Sequence, residues 1–246
     1  MMEPIGPLIG TAGWSVPTAY AEQFPTTGTH LARYSQRFPA VEINSSFYRP
    51  HRPSTYARWA ASVPENFRFA VKTPKEITHA LRLQNASSVI ISFLSEVAGL
   101  GDKQGPLLVQ LPPSLKFEEA VAERFFTELR QGTLSQVVCE PRHTSWFTDE
   151  AEQLMTTFEI ARVAADPALV PRAAVPGGWK GLVYFRLHGS PKMYYSSYSL
   201  DYLEQLTATL RAYSHAAVPV WCIFDNTASF AATDNALHLL NQWTPS

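Results

Sequence analysis

The chain has 246 residues, of which 46% are hydrophobic and 17% charged, and its formal net charge is −1. This length suits one large core or two small ones, and the composition is globular rather than disordered. With near-neutral charge and no block of like charges, neither a broad nucleic-acid surface nor a polybasic membrane patch is expected, although a small local anion site is still allowed.

The N-terminus, M-M-E-P-I-G-P, shows no basic segment followed by an apolar one, so no signal peptide is expected. No apolar run approaches the roughly 18 residues of a membrane helix. Cys139 and Cys222 lack metal-ligand or redox spacing and read as small buried hydrophobes. The expected location is the cytoplasm.

In chain order, Leu8–Gly13 reads as a first strand and His30–Phe38 as a helix. Ala40–Asn44 is a second strand, Ser54–Val63 a short helix, and Phe67–Thr73 a third strand closed by Pro74. A long loop holding His79 precedes a helix near Ser87–Leu100. Leu107–Leu111 is the fourth strand, followed by a helix over Glu118–Leu129. The fifth strand begins at Val137 and opens into E-P-R-H-T-S-W. Its helix, near Asp149–Phe158, carries Asp149 and Glu152 at capping-box spacing. Arg162–Asp166 is the sixth strand, and the proline-rich connection after it predicts a reduced or absent sixth helix. Leu182–His188 is the seventh strand, Leu200–Tyr213 a helix with Ser199 as N-cap, Val218–Asp225 the eighth strand, and Ala228–Trp243 the last helix.

Eight strands alternating with about seven helices predict a parallel sheet. With this length, a single-domain (β/α)8 TIM-type barrel spanning residues 1–246 is expected. Side chains on a strand alternate between two faces. If the apolar set packs under the helices, Glu42, Asn44, Lys72, Gln110, Glu140, Ala164, Asp166, Tyr184, Arg186, His188, Ile223 and Asp225 point inward. The polar members of this set end their strands, where barrel active sites lie. The alternative is a structural ion-pair network, although burying charge costs about as much as pairing returns.

The segments G-T-A-G-W-S, V-E-I-N-S-S-F-Y, F-R-F-A-V-K-T-P-K-E-I-T-H, L-L-V-Q-L-P-P-S, E-P-R-H-T-S-W, Y-F-R-L-H-G and F-D-N-T occur in that order. On these residues the chain resembles the domain-of-unknown-function family 72, also called the YecE-like family, from about Ile9 to Leu240. The resemblance implies the barrel fold and supplies no reaction. Pro141, the F-D-N-T segment and the short crossover after Asp166 depart from the family pattern.

Glu140 is the leading candidate for a general base or nucleophile, with His188 as its acid–base partner. Lys72 and Arg186 are candidate catalytic anion clamps, or they pair internally with Glu42, Glu140 and Asp225. Arg142 and His143 are candidate substrate contacts, and His143 can equally hydrogen-bond within its own loop. Glu42, Asn44, Gln110, Asp166, Asp225 and Asn226 complete the polar set. Trp14, Tyr48 and Trp146 either line the site or anchor loop packing. Gly189, Ser190 and Lys192, with Asn226 leading into a helix N-terminus, form a candidate phosphate site, and the Tyr- and Ser-rich loop around them could close over it.

The expected function is acid–base chemistry, hydrolysis or isomerisation, on a small phosphorylated or sugar-like substrate, with no cofactor. A metal-dependent enzyme using Glu42, Glu140, Asp166, His188 and Asp225 is the second reading, with Lys72 and Arg186 arguing against it. A non-catalytic anion- or small-molecule-binding protein is the third. In the first reading, Glu140→Gln should leave folding intact and remove turnover.

Overall fold

The computed structural model describes residues 6–216 and 218–243. The N-terminal stretch read above therefore falls mostly outside the described residues. The strands are β1 (Leu8–Thr11), β2 (Ala40–Ile43), β3 (Arg68–Lys72), β4 (Gln104–Gln110), β5 (Val137–Glu140), β6 (Ile160–Arg162), β7 (Ala164–Asp166), β8 (Gly177–Gly178), β9 (Val183–Leu187) and β10 (Val220–Phe224). The helices are α1 (His30–Tyr34), α2 (Ser45–Tyr48), α3 (Pro53–Ala61), α4 (Ser87–Val97), α5 (Glu119–Gly132), α6 (Asp149–Thr157), α7 (Leu200–His215) and α8 (Ala231–Trp243).

This is a single-domain α/β fold with parallel-rich sheets. One sheet runs β1-β10-β9-β7 and the other β2-β3-β4-β5-β6-β8. Among the described strand pairs, β6 with β8 is the antiparallel one. The sheets approach each other at two places. Ala12 bridges Glu42 in parallel register, and the Gly13 N–H donates to the Glu42 carbonyl at 2.9 Å. At the other place β6 and β7 are consecutive, with the Val163 N–H donating to the Cys139 carbonyl between them. Gly10 permits the first approach: a Cβ there would lie 2.1 Å from the Ala40 carbonyl oxygen.

The apolar residues sort by strand parity into two layers. Val41, Val71, Val109, Cys139, Phe185 and Cys222 belong to the outer core under the helices. Ala70, Leu108, Val138, Tyr184, Trp221 and Ile223 pack together on the inner face. The helices bury one stripe each, as in α5, where Ala122, Phe125, Phe126 and Leu129 repeat at helical spacing. Each phenylalanine or leucine among them contributes roughly 1.5–3 kcal/mol when fully buried. Both cysteines are free and buried, and burial pushes their thiols well above the usual range. No helix among the described residues is long and apolar enough to cross a membrane.

The sixth unit differs from the expected pattern. Val163 packs in the inner cluster and Ala164 in the outer one. Asp166, two residues beyond Ala164, therefore lies on the outer face, which reverses the expected inward placement of Ala164 and Asp166. The inside of this short stretch was inferred from one acidic residue. That residue is accommodated outside because no helix follows: the connection holds a 3-10 turn, Pro171–Ala174, and then β8. The start of α6 differs too. Thr148, not Asp149, caps it by accepting from the Ala151 N–H at 3.4 Å. Glu152 instead pairs with the buried Arg162 and accepts from the Gly178 N–H.

Candidate functional site

The C-terminal ends of β2, β5, β9 and β10 deliver Glu42, Glu140, Arg186, His188 and Asp225 into one connected network. Arg186 is fully buried at its centre. Its Nη2 donates to Glu42 Oε1 at 2.6 Å and its Nε to Glu42 Oε2 at 3.0 Å. Its Nη1 donates to Glu140 Oε2 at 2.9 Å, and Nη2 lies 3.1 Å from Asp225 Oδ2. Tyr184, two residues earlier on the same face, donates its hydroxyl to Glu42 Oε2 at 2.8 Å. All three guanidinium nitrogens are thus held by internal carboxylates. The expected role of Arg186 as a clamp for an incoming anion has no free nitrogen to serve it.

His188 is bracketed by two carboxylates. Its Nδ1 lies 3.0 Å from Asp225 Oδ2 and its Nε2 lies 2.8 Å from Glu140 Oε1. Arg142 Nη2 is also 3.0 Å from His188 Nε2 and 2.7 Å from Glu140 Oε1. Two arrangements satisfy these distances. A neutral ring donates from Nδ1 to Asp225 and accepts from Arg142 at Nε2. A doubly protonated ring donates to both carboxylates. The two states differ by one proton on Nε2, the property of an acid–base residue.

The electrostatics follow from this packing. Burial alone would push the Glu140 carboxyl up, but Arg142, then Arg186 and His188, outweigh it and hold the group well below the usual range. Asp225 behaves in the same way, with Arg186 and His188 overcoming burial. Burial likewise acts against the Arg186 charge, and Asp225, Glu42 and Glu140 more than restore it.

Lys72, at the end of β3, points to the same face and is buried. Its ammonium makes no ion pair and no hydrogen bond with any described residue. It sits over the Phe47 ring, 4.2 Å from the centre. Burial, then the Arg186 charge, bring its pKa from 10.5 down to about 8 against the pull of Glu42, Asp225 and Glu140. His79, on a turn of π-helix (Glu76–Ala80), meets the same Phe47 ring edge-on at 5.1 Å. Burial, Lys72 and Lys75 lower its pKa. Sequence reasoning left Phe47 and His79 out of the site. A histidine seven residues after the strand-ending Lys72 and five after Pro74 was the available signal.

The remaining expected residues fall into separate groups. Gln110 is half-buried at the end of β4, paired in register with Glu140. Asn44 and Trp14 do not join the network; they line a cavity of about 330 Å3 with His30 and Ser45, and Trp14 packs edge-on against Trp59. Tyr48 is 70% exposed and lines another cavity, of about 320 Å3, with Phe47 and Lys75. Trp146 is buried beneath the loop, with its Nε1 donating to the Leu115 carbonyl at 3.0 Å and its ring against Phe117. It is a packing anchor. His143 caps its own 3-10 turn, accepting from the Ser145 N–H at 3.2 Å. Asp166 accepts from the Tyr198 hydroxyl at 2.8 Å, away from Glu140.

The candidate phosphate loop is also occupied internally. The Gly189 N–H donates to the Tyr198 hydroxyl at 2.8 Å, and Lys192 lies over the Tyr195 ring at 4.2 Å. Ser190 is exposed. Asn226 Nδ2 donates to the Ser196 carbonyl and to Asn235 Oδ1, both at 2.9 Å. Gly189, Lys192 and Asn226 are thus engaged within the loop itself, Lys192 through its N–H to Ser196 Oγ at 3.0 Å. The loop instead folds over the network: Tyr194 meets the His188 ring edge-on at 5.8 Å, and Met193 Sδ lies 3.9 Å from Arg142 Nη1.

Among the described residues, no three His, Cys, Asp or Glu side chains are grouped so as to hold a metal. Arg186 occupies the space between Glu42, Glu140 and Asp225 that a cation would need.

A parallel-rich α/β fold with a buried arginine–carboxylate–histidine network at its strand ends defines the class. The chain belongs to the family described as Protein of unknown function DUF72, whose model matches residues 8–246. It is similar to the UPF0759 protein YecE of Escherichia coli (strain K12), at 29% identity over 125 residues. That match covers 51% of this chain and 46% of YecE, less than half the relative's length. The UPF0759 protein YunF of Bacillus subtilis (strain 168) is 22% identical, with 94% of this chain and 93% of YunF covered. Crystal structures of DUF72 family proteins from Enterococcus faecalis V583 and Thermotoga maritima MSB8 share the fold, each with a TM-score of 0.79. Their identities are 23% and 22%; coverage is 96% of this chain and 98% of the first structure, and 97% of this chain and 99% of the second.

Proposed function

We propose that the protein is an enzyme that moves a proton on a small anionic substrate at the strand-end network, with His188 as the proton carrier and Arg142 as the anion contact. The observation that carries this reading is the single-proton ambiguity at His188 Nε2, shared between Glu140 and Arg142. Glu140 and Asp225 orient the ring and stabilise its charged form. Arg142 is half-buried at the rim, and among the described residues its Nη1 has a thioether sulfur as its hydrogen-bond partner. An arriving carboxylate or phosphoryl oxygen is a far better acceptor, and it would offset the charge of a doubly protonated His188. The loop over residues 189–198 must lift for the substrate to enter and then exclude water when it returns.

We further propose that the two sheets close as one barrel domain of eight parallel strands, with β6 and β7 forming a single run and the antiparallel β8 lying outside the ring. The Ala12–Glu42 bridge and the continuous run through Val163 support this reading. Phosphorylated or sugar-like compounds remain the favoured substrates, with nucleic acid and membrane disfavoured as partners. The free, buried thiols support action in the cytoplasm.

Calorimetric titration of the full chain with inorganic phosphate, and separately with small carboxylates, tests the site. Wild type should bind at least one of these anions, and Arg142→Met should weaken that binding by roughly tenfold or more. Unchanged affinity in Arg142→Met, or no binding of any of them by wild type, contradicts the reading.

A further inference from the structure

We propose that Lys72 is a covalent nucleophile, condensing with the carbonyl carbon of a small aldehyde or keto acid to form an imine. This deepens the preceding reading and rests on it, because Arg142 would hold the carboxylate or phosphate of the same molecule.

Three carboxylates lie on this face, and other donors already satisfy all of them. Glu42 is taken by Arg186 and Tyr184. Glu140 is taken by Arg142, Arg186 and His188, and Asp225 by Arg186 and His188. Lys72 is the surplus cation. It is 8% exposed and has the face of Phe47 as its neighbour instead of an acid. A structural lysine is held by an ion pair, whereas a buried lysine without one lies close to its neutral, nucleophilic form.

A proton carrier stands close by. His79 packs on the same Phe47 ring and its charge balance is set partly by Lys72. Its Nδ1 is bonded to Thr78 Oγ1 at 2.8 Å, and no described residue engages its Nε2. The Phe47 ring that Lys72 lies over also forms part of the wall of the cavity of about 320 Å3.

The step balances without any further reactant. The Lys72 nitrogen bonds to the carbonyl carbon, and the C–O π pair moves to oxygen. Oxygen takes up the proton that nitrogen loses, giving a carbinolamine. Protonation of that hydroxyl by His79 Nε2–H lets it leave as water while the nitrogen lone pair forms the C=N bond. The iminium nitrogen returns its proton to His79. The products are one imine and one water.

The test treats full-length protein with glyoxylate, and in parallel with pyridoxal 5′-phosphate, and reduces with cyanoborohydride at neutral pH. Adducts are mapped by peptide mass spectrometry. Lys75, exposed and three residues away, is the internal control. Lys72 should be labelled at least about tenfold faster than Lys75 by one of the two probes, and excess phosphate should protect it. Labelling of Lys72 no faster than Lys75 with both probes overturns the proposal. If phosphate binding still depends on Arg142 in that case, the imine falls and the anion site stands. If that dependence is also missing, both fall.

Discussion

Arg186 grips Glu42 with two prongs, Nη2 to Oε1 at 2.6 Å and Nε to Oε2 at 3.0 Å, across 144 residues of chain. Both side chains are fully buried. Removing either partner leaves an uncompensated charge, which costs about 3–5 kcal/mol. Glu42→Gln and Arg186→Met should each lower stability by that order in urea titration at neutral pH. A loss under about 1 kcal/mol would mean the pair is less desolvated than its burial implies.

Lys72 gives a pH dependence of known sign. The folded amine releases its proton near 8 and the unfolded one near 10.5. Between these values the unfolded chain binds the extra proton, so stability rises with pH through this window. Below it, the full penalty of the buried charge applies, roughly 3 kcal/mol for a shift of this size. Lys72→Met should therefore stabilise the protein at pH 7, by about 1–3 kcal/mol. The difference should vanish above the unfolded value. A variant no more stable at pH 7 would show that Lys72 is paired in solution.

Glu140 and Asp225 act in the opposite direction. Both carboxyls are held below their ordinary 4.5 and 3.8. The stability they contribute is complete above those values and is lost as pH falls toward the folded-state pKa. Glu140→Gln should flatten the acid limb of the stability profile. It should also cost several kcal/mol at neutral pH, on the order of a broken buried pair. This replaces the sequence-based expectation of an intact fold, because the amide would face donors from Arg142, Arg186 and His188. Thermal melts from pH 2 to 7 on both proteins measure it.

Tyr198 holds the covering loop. Its hydroxyl accepts from the Gly189 N–H and donates to Asp166, each at 2.8 Å. Tyr198→Phe leaves the Gly189 N–H without its acceptor and removes one of the donors to Asp166, at about 1–3 kcal/mol. Hydrogen exchange should quicken over residues 189–198 and stay unchanged in β3 to β5. Uniform quickening would show a global rather than a local effect.

Much of this site was legible because strands alternate strictly. Glu42, Lys72, Glu140, Arg186, His188 and Asp225 were assigned to one face from apolar neighbours at odd spacing, and those neighbours do pack in the outer layer. Asp166 went wrong because its strand is short and its outer face lacks the helix that would have made it apolar. The cap of α6 went wrong because Thr148 and Asp149 both suit an N-cap, and only the buried Arg162 reveals that Glu152 is committed elsewhere. The pairing of Arg186 with Glu42, Glu140 and Asp225 was one of two readings the sequence offered, and the sequence could not choose between it and an anion clamp. Parity gives direction, whereas pairing depends on the distances between strands far apart in sequence. Phe47 and His79 lie on irregular turns, for which no periodicity exists.

The central claim is that an anion at Arg142 draws a proton onto His188 Nε2. Titrating sulfate, which stays fully ionised, into the protein in two buffers of different ionisation enthalpy, near neutral pH, counts protons taken up by the protein on binding. Wild type should take up a fraction of a proton, up to about one, and His188→Gln should bind sulfate with almost no uptake. Equal proton uptake in the two proteins, or sulfate binding by wild type with none, would contradict the account.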